Sequence, residues 1–293
     1  MPTTDSRTSP RPDEDYGSLA RAAALRTVGR LQSGYQRDVP AAVAAVARLR
    51  REAGRDPYAS PSSWGLDDLA DLSELREEKQ REQDEQQEGR EDARDVSAAA
   101  RRRSEEREER EAQAVHLAVT LWALHQQSLR DEGMHRRGWP LGRAVRRLAH
   151  GKSGTAGRPS AHAPDGTDGD ANGPQAVSAR RQSDPVEEAS ESVRKRFVRL
   201  GTSSDYEILS ERLRQFVLLL RAARIPLDYG LLAQQLFLWQ DEFRREDIRR
   251  AWGREFHLVY ARDTADGQQG ETADTTPEDS AGDWNLFHDD GAD

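Results

Sequence analysis

Arginine is the residue type through which this chain could do chemistry. Between residues 191 and 260 it stands in three groups: Arg194, Lys195, Arg196 and Arg199; then Arg212, Arg214, Arg221 and Arg224; then Arg244, Arg245, Arg249, Arg250 and Arg254. A planar guanidinium offers paired N–H donors that match two oxygens of one phosphate, so arginine-rich helix faces read as phosphate-backbone contacts. A further concentration fills residues 133–164, which hold seven Arg/Lys and no acidic residue, among them Arg136, Arg137, Arg143, Arg146 and Arg147. The competing reading is a solvated face neutralised by its own acids, and residues 191–260 do carry ten Asp/Glu beside thirteen Arg/Lys. Acid content ranks the groups. Arg244 to Arg254 share their helix with Glu246, Asp247 and Glu255, whereas the 136–147 and 194–199 groups lack interleaved acid. The candidate nucleic-acid-binding residues are therefore Arg136, Arg137, Arg143, Arg146, Arg147, Arg194, Lys195, Arg196 and Arg199, with Arg212, Arg214 and Arg221 beside them. Within the first set, Leu141, Ala144, Val145 and Leu148 are expected to face inward, and Arg143, Arg146 and Arg147 outward.

Catalytic constellations are scarce. The chain has no cysteine, hence no disulfide framework and no thiolate nucleophile. His116 and His125 are nine residues apart, about 180° around a helix, so they cannot share a metal. The sequence contains no HExxH, no P-loop and no GxSxG at a strand-to-helix turn. Core or surface histidines without a chemical role are the expectation, and so is a non-enzymatic protein without cofactor or metal.

Charge is distributed unevenly. Of the net −9, the stretch 261–293 carries ten acidic residues and one arginine, leaving residues 1–260 balanced at 43 against 43. An acidic sequence therefore does not argue against nucleic-acid binding here. With 33% charged and 35% hydrophobic residues, only about half of the chain is expected to pack. No apolar run approaches the roughly 20 residues of a membrane span, and the N-terminus lacks an apolar signal core, so the expectation is a cytoplasmic protein.

The elements that must position the arginines are helices. Leu209, Leu213, Phe216, Val217 and Leu220 recur at three- and four-residue spacing. Ser204 with Glu207 predicts a capping box for that helix, and Pro226 with Asp228 predicts its end and the cap of the next. That next helix carries Leu231, Leu232, Leu236 and Trp239. A further stripe runs through Phe243, Ile248, Trp252 and Phe256, and a short one, Val193, Phe197 and Leu200, opens the set. Four such helices with short joints predict a bundle over 191–260. Upstream, residues 16–150 predict another. It has a helix from Leu19 stopping at Gly34, a helix capped by Asp38 with Pro40 in its first turn, and a central buried helix through Val115, Val119 and Trp122. Within it, about 74–111 is Glu/Arg-rich without an apolar stripe, which predicts a solvated helix or a disordered insert. Residues 1–15 read as a disordered leader, 151–190 as a Gly/Ser-rich flexible linker, and 261–293 as an acidic disordered tail. The fold class expected is all-α, two small helical bundles joined by a linker.

Several short runs then carry a family resemblance: His125-Gln126-Gln127-Ser128, Met134-His135, Leu141 to Ala149, Ser192 to Phe197, Leu213 to Val217, Pro226-Leu227-Asp228-Tyr229 and Trp252 to Phe256. In order and spacing the chain resembles the CasB family, small subunits of the type I-E CRISPR surveillance complex Cascade. The resemblance implies an all-α subunit, two copies of it arranged head to tail beside other Cascade subunits. It also implies binding of crRNA and target DNA without base specificity, to stabilise the guided R-loop. Two other readings stand beside it. One is a helical scaffold or adaptor whose acidic tail mimics nucleic acid. The other is a helix-turn-helix repressor turning at Pro226 to Gly230, which the apolar Leu236, Phe237, Leu238 and Trp239 disfavour.

Overall fold

The structure is a computed structural model, and it describes residues 17–58, 69–87, 98–152, 154 and 185–258. The expected leader, the loop around Trp64, nearly all of the 151–184 stretch and the acidic tail lie outside the described residues. Within them the chain is all-α. Nine helices follow one another: α1 (Ser18–Gln36), α2 (Pro40–Leu49), α3 (Ala70–Gln87), α4 (Ala98–Gln126), α5 (Leu141–Ala149), α6 (Pro185–Gly201), α7 (Tyr206–Ala222), α8 (Tyr229–Trp239) and α9 (Glu242–His257). None is long and apolar enough to cross a membrane.

The apolar spacing explains most of the buried faces, but not against what, and Phe243, expected in the α9 stripe, is instead 92% exposed. The core is one continuous cluster drawn from α1, α2, α4 and α5 as well as α6 to α9. α8 packs chiefly on α1 and α4, and α9 on α5, so stripes expected to meet within 191–260 are closed in large part by upstream helices. Trp122, Tyr229, Trp239 and Trp252 are fully buried in this cluster. Close approach is built in at Gly230, where a Cβ would sit 2.4 Å from Leu25 Cγ, so α8 can lie directly on α1. The C-terminal half of α4, from Ala114 to Gln126, is buried around its whole circumference, as a central helix requires.

Local signals were shifted at three places. Asp205, not Ser204, caps α7 by accepting from Ile208 N at 2.8 Å, while the Ser204 hydroxyl donates to that carboxylate. Asp38 does not cap α2; it sits at φ 59° and pairs with Arg130, while Val39 precedes Pro40 without a side-chain cap. Helix α1 runs past Gly34 to Gln36. At the next joint the expectation holds: Asp228 caps α8, accepting from Leu231 N at 3.0 Å.

The Glu/Arg-rich stretch is helical on both sides of residues 88–97, and it is anchored. Asp71 accepts from the Thr27 hydroxyl at 2.6 Å and from Arg30 at 3.0 Å, beside buried Leu72. Arg76 and Arg107 both reach the buried carboxylate of Glu111 at 3.1 Å. α6 begins at Pro185, inside the stretch expected as linker.

Candidate nucleic-acid interface

The loop between α4 and α5 displays the first arginines, and a buried polar network holds it in place. Gln126 Oε1 accepts from Met134 N at 2.8 Å, and its amide donates to the carbonyls of Glu132 at 2.9 Å and Leu129. His135 forms a parallel β-bridge with Leu227, and its Nδ1 accepts from Tyr229 N at 3.2 Å. His125 Nδ1 lies 2.8 Å from the Tyr229 hydroxyl. Burial holds His125 neutral, with its pKa lowered to about 3, and burial also lowers that of His135. The sequence runs His125 to Ser128, Met134-His135 and Leu227 to Tyr229 thus meet in one network whose work is positional. Arg224 pairs with Asp131 and Arg221 Nε donates to Gln127 O at 3.2 Å, so both pin the same loop. Arg136 and Arg137 stand exposed on it.

Helix α5 spends its arginines on the fold. The indole of Trp139, itself buried, gathers three guanidiniums: Arg143 at 4.2 Å from the ring centroid, Arg136 and Arg147 at 5.9 Å each. A cation over an indole face is attracted by the ring quadrupole, so no carboxylate is needed there. Arg143 also donates to Gly138 O at 3.1 Å. Arg146 donates to the carbonyls of His257 at 2.9 Å and Leu258 at 2.7 Å, which closes the negative end of α9. Arg147, expected outward, is buried with 5% of its surface exposed, and its Nε donates to Gly154 O. The reason is that α5 is covered on more than one side, by α6, α7 and α9, and by the chain that turns back after it. Gly142 allows this contact, since a Cβ there would lie 2.4 Å from Trp252 O.

Helix α6 is the reverse. Arg194, Arg196 and Arg199 are exposed and have no acidic partner among the described residues, while Lys195 pairs with Glu191 at 2.8 Å. Arg212 on α7 donates to Ser203 Oγ at 3.1 Å and to the carbonyl of Arg199, which satisfies the end of α6. Arg196, Arg199 and Arg212 border one open groove between α6 and α7, about 410 Å³, with Phe216 at its floor. Arg214 and Arg221 stand elsewhere on α7, near Glu211 and the 127–132 loop respectively. The predicted residues therefore divide. Arg196, Arg199 and Arg212 converge on the α6–α7 groove and Arg136, Arg143 and Arg147 on Trp139, while Arg137, Arg146, Arg194, Lys195, Arg214 and Arg221 belong to neither set.

On α9 the expected neutralisation is present. Arg249 lies 3.6 Å from Glu246, and Arg250 lies 3.9 Å from Glu246 and 3.7 Å from Asp247. Arg245 stacks on Trp239 at 4.2 Å. Glu255, expected to face these arginines, instead turns inward and accepts from Gly142 N at 3.2 Å and Gln235 at 3.3 Å, and burial raises its pKa. α8 is buried on nearly every side, so the helix that a helix-turn-helix would place in a groove is unavailable. Sequence reasoning missed Trp139, although its spacing of three from Arg136 and four from Arg143 was visible. Among the described residues no cluster of His, Cys, Asp or Glu is placed to hold a metal.

The comparisons with known proteins agree with this arrangement. The family model for CRISPR-associated protein Cse2 matches residues 45–257. The crystal structure of CasB from Thermobifida fusca is similar at 34% identity over 82% of this chain and 98% of that one, with a TM-score of 0.52. A Cse2-family CRISPR-associated protein from Thermus thermophilus is 21% identical over 78% of this chain and 96% of its own, with a TM-score of 0.41. None of the curated proteins compared with the chain matches it. The chain belongs to the Cse2 family of CRISPR-associated proteins, to which CasB gives the other name.

Proposed function

We propose that this protein is a non-catalytic small subunit of a type I-E Cascade complex, and that it grips nucleic-acid backbone to stabilise the crRNA-guided R-loop. Guide pairing reads the sequence in such a complex, so a subunit that holds the opened strands needs phosphate contacts and no base readout. The observation that carries the reading is the α6–α7 groove, where Arg196, Arg199 and Arg212 face one channel. Arg136 and Arg137 add exposed charge on the 127–140 loop. Its partners in this reading are other Cascade subunits, crRNA and target DNA, and a second copy of the chain placed head to tail.

The test is a salt titration of binding to random single- and double-stranded DNA. Each phosphate contact contributes nearly one to the slope of log K against log salt, so several contacts lower affinity by orders of magnitude between about 50 and 200 mM. Affinity that is flat across that range would remove the reading.

A further inference from the structure

A second depression on α6 has a different chemistry. Between α6 and α9 lies an apolar groove of about 440 Å³, lined by Phe197, Val198 and Phe256, with Arg194 and Arg249 also in its lining. The Phe197 and Phe256 rings stack, with centroids 5.4 Å apart and 30° between their planes. Both rings are half-buried, and Val198 beside them is 64% exposed. Gly253, in the interior of α9, lines the groove as well. Glycine is among the poorest residues for such a position. Packing does not require it, since a Cβ there would meet nothing within 4 Å. What the missing side chain does is leave one wall of the groove open.

We propose that this groove is a stacking site for an unpaired base of single-stranded nucleic acid. The proposal rests on the nucleic-acid reading and adds to it a contact that is not to phosphate. An unpaired base is flat, aromatic and joined to an anionic backbone. The groove offers the counterpart: an aromatic wall, and at Arg194 a guanidinium without an acidic partner among the described residues. Arg249 is less available, because Glu246 lies 3.6 Å from it. A base stacked on side chains is held by its π-face, which every base has, so the contact adds grip without reading sequence. A paired base keeps that face inside the duplex, so the groove selects single strands. Continuity with the α6–α7 groove favours this occupant. Arg196 and Arg199 line that channel from the same helix, and a helix with its side chains is only about 10–12 Å across. One strand crossing α6 can therefore hold phosphates on one flank and a base on the other.

The test gives the full-length chain three ligands: a random single strand of about 12 nucleotides, the same backbone with every base removed, and a duplex of equal length. At one fixed salt the natural strand is expected to bind about tenfold more tightly than the abasic one, with nearly the same salt slope. Gly253→Leu places a side chain in the groove where the fold has room for it. It is expected to bring the natural strand to within about twofold of the abasic one and to leave duplex affinity unchanged. Circular dichroism checks its fold, and Val198→Gln, at an exposed position, gives a second arm expected to weaken the natural strand about threefold. A natural strand no tighter than the abasic one would overturn the base site while leaving phosphate binding in place. A tenfold preference that survives both variants would overturn it too, by putting the base elsewhere. Absence of binding by every ligand would instead remove the nucleic-acid reading, and this proposal with it.

Discussion

Helices α5 and α6 both carry a run of basic residues uninterrupted by acid, yet their arginines serve opposite ends. On α5 the guanidiniums are used up by an indole face, by the carbonyl end of α9 and by the backbone at Gly154. On α6 Arg194, Arg196 and Arg199 reach solvent without an acidic partner among the described residues. The difference teaches that a run of cations without neighbouring carboxylates is not thereby an interface. Carbonyl dipoles and aromatic quadrupoles neutralise arginine too, and neither shows as charge in a sequence.

The comparison breaks most visibly at Arg147. Reversing it to Glu should cost about 3–5 kcal/mol of unfolding free energy, because a buried guanidinium is lost and an acid is set against the backbone it served. Urea unfolding of Arg147→Glu beside Arg196→Glu measures this, and equal midpoints would erase the distinction between the helices. Next comes binding. The double change Arg196→Glu and Arg199→Glu should lower DNA affinity about 10- to 100-fold near 0.1 M salt and reduce the salt slope by about two, with the melting temperature kept. A larger loss from Arg143→Glu than from this pair would reverse the ranking.

Acid separates the regions in another way. The folded His125 has its pKa lowered to about 3 and that of His135 is lowered too, so both bind fewer protons folded than unfolded. Stability should therefore be complete above the unfolded value near 6.5 and decline as pH falls from there toward 3, by up to about 1.4 kcal/mol per pH unit from His125, with His135 acting in the same direction. Unfolding midpoints from pH 7 to pH 5 check the sign, and His125→Gln should flatten the curve. Groove affinity measured over the same range should follow stability only where the fold itself is lost. The smallest effect belongs to Arg146→Ala, which removes the donor at the end of α9 and should cost about 1 kcal/mol. Thermal melts would show it as a shift of a few degrees.

Much of this architecture was legible in the residues. The stripe of α7, the all-round burial of α4 near Trp122 and the Asp228 cap followed from spacing and side-chain type. What spacing could not show was the partner of each stripe. Leu232 and Leu236 declare a buried face, but only the chain's path decides that α1 and α4 cover it. Caps slipped because Ser204 and Asp205 are adjacent candidates, and the carboxylate is the better acceptor for the Ile208 amide. Of the candidate site, the α6 arginines were placed correctly as exposed. Arg147 was misplaced because a helical wheel assumes one covered side, whereas α5 meets three helices. Glu255 was misplaced for the same reason.

The shared core has a last consequence, for the covalent continuity of the chain. Helices α1 to α5 and α6 to α9 contribute to a single cluster, so each half of the chain leaves part of its apolar surface for the other to cover. Cutting the backbone anywhere between α5 and α6 would turn the subunit into two complementing halves, each deprived of a face that the other covers. The polypeptide is thus a natural split protein, separable in sequence and inseparable in solvent.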